Sequence, residues 1–225
     1  MTAAKILLPL VFTLMAGCSF PPSPHDQRLA EPQHGRAATY KLTVNSNTSF
    51  GVLYSPDTLY DIDYLKRYND HAKHSVEGRL LVSEIRQGYI DSSAPLEGVG
   101  RIRQILSLHL PNVTFYENEA ALSKAKPDFI VVVTTRHVLL TPRASDIEAR
   151  FRADFFDRDL VYVGSAGGKQ VAHMPALWTH AQRTPEIVAQ LVNQHAVQTR
   201  ALHDFDSSLV NLLSKQTGAV TSNTP

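Results

Sequence analysis

Between Phe129 and Val163 the chain repeats with a period of two, and few folds accommodate that. Phe129 to Leu140 is a β-rich run with Ile130-Val131-Val132-Val133-Thr134-Thr135 at its heart. Ile147, Ala149, Phe151, Ala153 and Phe155 then alternate with Glu148, Arg150, Arg152 and Asp154. Successive side chains of a strand point to opposite faces, so one side is apolar and the other charged. Asp157-Arg158-Asp159 makes a tight turn into Leu160-Val161-Tyr162-Val163. Three strands joined by short polar turns predict an antiparallel meander with one wet face.

The apolar face needs a cover, and the end of the chain offers one. Thr184-Pro185 is a helix start, and Val188, Leu191, His195, Gln198, Leu202, Phe205, Leu209 and Leu212 follow at alternating spacings of three and four. That stripe suits a coiled coil, but its middle is polar at His195 and Gln198, and a helix lying across a sheet needs the same stripe. The expectation is a long C-terminal helix on the meander, with Leu202 and Phe205 near Phe151, Ala153 and Phe155. Residues 217–225 read as a disordered polar tail.

Upstream, Tyr40, Leu42 and Val44 alternate as a strand would, Asn45-Ser46-Asn47 turns, and Phe50 to Tyr54 continues or pairs with that strand. Ser55-Pro56 is an N-cap with proline at the first helical position. The helix it opens carries Asp57, Asp61 and Asp63 early and Lys66, Arg67, His71, Lys73 and His74 late, matching the helix dipole; Gly78 can end it. Tyr60, Tyr64 and Tyr68 form a stripe at spacing four. They are the candidate partner-binding residues, since tyrosine is enriched at interfaces. The plainer alternative is the shoulder of a core-facing stripe, ring inward and hydroxyl wet. Leu80, Leu81, Val82 and Ile85 suit a strand or a helical turn, and strand is preferred for residues 79–90. Val99, Ile102, Ile105, Leu106 and His109 recur at helical spacing until Pro111; Val113 and Phe115 suggest a short strand; Asn118 caps a brief helix. Together these elements predict one α+β domain over 39–216, an antiparallel meander sheet packed by helices in two layers.

The first residues set the address. Lys5 gives a positive start, and Ile6 to Leu14 is an apolar run too short for a bilayer core of about 30 Å, so a cleaved export signal is expected over 1–17. Its ending, Leu14-Met15-Ala16-Gly17-Cys18, resembles the lipobox of bacterial lipoproteins, with Met15 a departure from the commonest pattern. The resemblance implies that Cys18 is diacylated, becomes the first residue after cleavage and is usually acylated again. Ser19, in the enterobacterial sorting pattern, implies the outer membrane, periplasmic face. Residues 18–38 then form a lipidated cysteine and flexible tether, rich in proline and poor in apolar residues, able to reach roughly 60 Å.

Without residues 1–17 the chain carries 21 basic and 21 acidic residues, because Lys5 is the one charge removed from 22 and 21. A neutral chain with no basic block is not built for nucleic acid. Cys18 is the single cysteine, so no internal disulfide forms. His71 and His74 lie one helical turn apart, and His173 and His180 flank a loop, but no ligand spacing completes a metal site. No metal and no cofactor is expected. Gly164-Ser165-Ala166-Gly167-Gly168 lacks the context of a nucleophile elbow or a phosphate loop and reads as a hairpin turn or bulge. The pairs Asp57/Asp61 and Asp204/Asp206 read as solvated helix positions. Arg136, His137, Arg150 and Arg152 are read as sharing the meander's polar face, where an acidic partner or lipid headgroups would meet them; Glu148 and Asp154 beside them make cross-strand salt pairing the simpler account.

The run Glu119-Ala120-Ala121 through Lys126-Pro127-Asp128-Phe129-Ile130-Val131 resembles the small α/β domain of several bacterial envelope proteins, among them the amino-terminal domain of TolB and the penicillin-binding-protein activator LpoB, with Pro127 replacing the usual small residue. The resemblance implies a non-enzymatic, lipid-anchored binding or accessory protein of the envelope with an unidentified envelope partner. The alternatives are an auxiliary subunit of an envelope transport or secretion complex, and a hydrolase or metal enzyme without a familiar motif.

Overall fold

The period-two stretch forms the expected three strands. A computed structural model describes residues 42, 44–141, 145–175 and 183–217, and the side chains of these as far as residue 214. β3 (Phe129–Val138), β4 (Asp146–Asp157) and β5 (Tyr162–His173) pair antiparallel in sequence. Val131, Val133, Phe151, Ala153, Phe155 and Ala166 are buried on one face, and the charged residues of β4 lie on the other.

The sheet is nevertheless not purely antiparallel. β1 (Phe50–Tyr54) lies parallel to β3 on one side and to β2 (Val113–Phe115) on the other, giving the open order β2-β1-β3-β4-β5. Parallel neighbours need long crossovers, and the helices between Tyr54 and Phe129 are those crossovers. Leu42 is buried in the core and Val44 is exposed, but neither belongs to a strand; Tyr40 lies outside the described residues.

α1 (Pro56–His74) begins as read: the Ser55 hydroxyl accepts from the Thr58 N–H at 3.2 Å, with Pro56 at the first position. It stops at His74 rather than Gly78. Ser75 caps it and starts α2 (Val76–Leu80), and the Ser75 Oγ accepts from the Gly78 N–H at 2.8 Å. The strand expected over 79–90 is instead α2 followed by α3 (Ser83–Asp91). Leu81, Ile85 and Tyr89, four apart, all reach the main core while Leu80 and Val82 are exposed. Spacing of four is helical; the run of adjacent apolar letters obscured it. α4 (Glu97–His109) and α5 (Glu119–Ala125) fall where expected, and the Asn118 Oδ1 accepts from the Ala121 N–H at 2.9 Å.

The long helix, α6 (Thr184–Thr217), lies across β5 and β4. Phe205, Ala201 and Leu209 are fully buried there. The glycines around Ser165 are part of β5, not a turn, but the register against β4 does shift beside them, where Phe155 and Phe156 face Gly164 and Tyr162. A Cβ on Gly168 would strike the Ala201 carbonyl and come within 2.5 Å of the Phe205 nitrogen. A Cβ on Gly164 would meet Leu212 at 2.9 Å. These positions let the helix backbone approach the strand closely. α4 lies on the same face, where a Cβ on Gly98 would come within 3.0 Å of Phe151. The two-layer expectation fails at one place: Gly51 faces away from Phe50 and Val52, and there Leu122 of α5 and Pro127 close over the opposite side of β1.

Two substitutions test this seam by urea titration. Phe205→Ala should cost about 3–5 kcal/mol through the cavity it leaves. Gly168→Ala should cost about 1–3 kcal/mol or more by pushing α6 off the sheet. A Gly168→Ala protein as stable as the parent would show that α6 is not seated so closely.

Candidate functional site

β3 outruns β1. Its pairing with β1 ends at Val133, and the backbone beyond has a neighbour only on the β4 side. Unpaired N–H and C=O groups are costly once buried, and α1 supplies what β1 does not. Thr58 Oγ1 donates to the Val133 carbonyl and accepts from the Thr135 N–H, both at 2.9 Å. One turn on, Asp61 accepts from the His137 N–H at 2.8 Å through Oδ1. Its Oδ2 takes the Thr135 hydroxyl at 2.6 Å and His137 Nδ1 at 2.8 Å. An ionised carboxylate only accepts, so it fixes the ring proton on Nδ1. The Tyr64 hydroxyl accepts from the Leu139 N–H at 3.3 Å, and Tyr68 donates to the Leu140 carbonyl at 2.6 Å. Gln194 of α6 closes the row, accepting from the Leu140 N–H at 2.6 Å and donating to Ser92 at 2.9 Å.

This row is the one place where the described residues gather titratable side chains out of water. Asp61 and His137 are 5% and 4% exposed. Burial alone would raise the Asp61 pKa, but the His137 ring, its backbone N–H and the Thr135 hydroxyl together hold it below the usual value. Burial pushes Tyr64 up to about 12 and Tyr68 well above its ordinary range. The groups satisfy one another and the strand, and the arrangement binds helix to sheet.

The row overturns two readings. Asp61 is not a solvated helix position, and His137 does not share a face with Arg136, because neighbours in a strand point oppositely. The signal was present as Thr58, Asp61, Leu65 and Tyr68 at spacings of three and four, a polar stripe interleaved with an apolar one. It also splits the tyrosine stripe. Tyr64 and Tyr68 are buried and engaged with β3, so the three do not share one exposed edge; of them Tyr60 alone is exposed, at 48%, with the Arg67 guanidinium 6.0 Å from its ring.

The outer face of the meander carries the charge. Arg136, Arg150 and Lys169 stand directly opposite one another across three strands. Glu148 lies 3.2 Å from Arg150 and 3.9 Å from Lys169, while Asp154 holds Arg152 at 2.7–2.9 Å. Salt pairing along and across the strands is thus real here. Asp204 accepts from Gln170 at 2.6 Å and Asp206 meets His109 at 2.7 Å, so neither is idle. His71 and His74 occupy the last turn of α1, and His173 contacts Asp146 at 2.6 Å. No group of three or more His, Cys, Asp or Glu suited to a metal occurs among the described residues. Cys18 and His180 lie outside them.

Stability should follow Asp61 in acid. Its folded pKa is depressed, so its contribution is present above the unfolded carboxylate value, about 3.9, and is lost as pH falls through the lower folded value. Urea midpoints from pH 7 to pH 2 should therefore drop more steeply below about pH 4 in the parent than in Asp61→Asn. Asp61→Ala should cost about 3 kcal/mol or more at pH 7, because Thr135 and His137 lose their acceptor inside the core. Parallel acid profiles for parent and Asp61→Asn would remove Asp61 from this role.

No family model and no curated protein matches this chain. Among solved structures, the chain is similar to a neuraminyllactose-binding hemagglutinin homolog from Helicobacter pylori, with 11% identity, TM-score 0.35, and coverage of 83% of this chain and 98% of that one. It is similar to the PelC dodecamer from Paraburkholderia phytofirmans, with 8% identity, TM-score 0.26 and coverage of 72% and 94%. It is also similar to the lipoprotein GNA1162 from Neisseria meningitidis, with 15% identity, TM-score 0.24 and coverage of 66% and 98%. Superpositions this loose carry no argument about function.

Proposed function

We propose that this chain is a lipid-anchored, non-enzymatic binding or accessory protein of the bacterial cell envelope, held at the periplasmic face of the outer membrane through Cys18. The observation that carries the reading is the short apolar run closing on Leu14-Met15-Ala16-Gly17-Cys18, with Ser19 and a proline-rich stretch behind it. Two features accompany it. No helix among the described residues is long and apolar enough to cross a membrane. The buried Asp61–His137 pair is spent on the fold and offers a substrate no approach. A carboxylate whose lone pairs are already taken by Thr135 and His137 is poorly placed to move protons for another molecule.

Two acyl chains anchor stably where one does not, since each buried methylene contributes about 0.8 kcal/mol. Labelled palmitate should enter the parent and be absent from Cys18→Ser, which should remain an unprocessed or slowly released precursor. Label persisting in Cys18→Ser would end the anchoring reading. In a density gradient of separated membranes the parent should travel with the outer membrane; inner-membrane density would overturn that placement alone.

A further inference from the structure

Three residues other than glycine hold a positive φ among those described: Asn112 at 46°, Lys126 at 50° and Leu160 at 61°. The topology gathers them at one rim of the sheet. Asn112 immediately precedes β2 and Lys126 lies just before β3, and these strands run parallel with β1 between them. β4 runs the other way, so its end at Asp157 and the turn into β5 reach the same rim. Two of the three have local reasons. Asparagine tolerates this backbone, and the Asn112 side chain donates to the carbonyls of Ser46 and Thr48. Lys126 is the left-handed cap that ends α5.

Leu160 has no such reason. Its turn is rigidly built: the Asp157 N–H donates to the Val161 carbonyl at 2.9 Å and Leu160 N–H to the Asp157 carbonyl at 3.1 Å. Asp157 Oδ1 also takes the N–H groups of Asp159 and Val161 at 2.9 and 2.8 Å. Arg158 ties the turn to Asp128 at 2.7 Å, and Asp128 in turn holds Ser49. The result is a three-residue hairpin loop whose last position is left-handed, where glycine is the usual choice. Leucine is strained there, and its side chain gains nothing from the core, being 68% exposed with Val161 beside it at 41%. Retained strain that presents an apolar side chain to the outside points to a contact outside the chain.

The chain itself indicates what lies there. Val44 to Ser49 enter β1 at this rim, and Asn112 and Asp128 bind that entry segment to it. Cys18 stands 26 residues before Val44. Past Leu42, which is buried in the core, a chain coming from Cys18 joins the sheet at this rim. We propose that this rim rests on the bilayer, with Leu160 and Val161 entering the headgroup region as a shallow apolar contact. The inference deepens the anchoring reading and depends on it.

The test uses the full acylated protein in vesicles of phosphatidylethanolamine and phosphatidylglycerol. With Cys18 occupied by lipid, Leu160→Cys offers a single thiol for an environment-sensitive fluorophore. A second protein carries the label at Leu80→Cys, since Leu80 is the most exposed large apolar side chain among the described residues and follows α1, which runs away from the rim along β3. Lipids brominated high on the acyl chain should quench the Leu160 label severalfold more than the Leu80 label. Leu160→Gly should raise the melting temperature, and a label at Val161→Cys in that background should lose most of its quenching. Equal, weak quenching at both sites in protein that still floats with the vesicles would overturn the rim contact and leave the anchor standing. Protein that does not float would overturn both. Shielding of the Leu160 label from iodide in native envelopes but not in vesicles would overturn the bilayer contact in favour of a protein partner, and a lower melting temperature for Leu160→Gly would show that Leu160 serves the fold.

Discussion

Everything in this fold leans on the way α1 stands in for a strand. β3 continues from Val133 to Val138 with β4 on one side and no strand on the other. Thr58, Asp61 and Tyr64 meet its backbone groups in turn, three helix residues for each second residue of the strand. The spacings differ by about 2 Å a step: about 4.5 Å for three helix residues against about 6.6 Å for two strand residues. A helix can therefore follow a strand edge for only a few steps before it drifts. Asp61 sits at the middle step, where any mismatch is smallest, and takes three donors at once.

The other side of the core is built on subtraction. α6 reaches β5 because Gly164 and Gly168 remove the side chains that would hold it away, and Phe205 fills the space beside them. Across the sheet the register sets Thr135, Phe151 and Gly168 in one row. A small residue at the edge faces a large one at the centre, and the long helix settles over the step. The two devices divide the labour. α1 satisfies polar groups at one edge of the long strands, and α6 buries apolar area over the others.

Much of this was legible and some was not, for definite reasons. The meander, the Asp157 turn and the long helix could be read because each depends on a local period that no other residue alters. The parallel pairing of β1 could not, since Phe50–Tyr54 carries five residues with no alternation and its partners stand far along the chain. Residues 79–90 misled because Leu80-Leu81-Val82 looks like a buried strand, while burial actually selects Leu81, Ile85 and Tyr89. Gly164 to Gly168 misled in the opposite sense: glycine signals a turn, but it also signals close backbone approach, and only the neighbouring helix decides between them. The Asp61–His137 contact joins residues 76 apart, and Asp61 reads as one of several acids opening a helix. The Leu160 backbone was equally hidden, because a leucine letter does not announce a left-handed turn.

The placement of β1 also bears on the life of the chain before it is folded. Gly51 pairs with Thr114 and Ile130, residues 63 and 79 positions later. Closing a loop of that size costs about 2 kcal/mol more chain entropy than closing a five-residue turn. More simply, β1 cannot pair until its partners have been made. Phe-Gly-Val-Leu-Tyr is uncharged and largely apolar, the kind of segment that seeks other strand edges when exposed. In a chain delivered amino terminus first, this strand is the earliest to emerge and has the longest wait for its sheet. Its safekeeping in that interval falls to whatever attends the chain in transit.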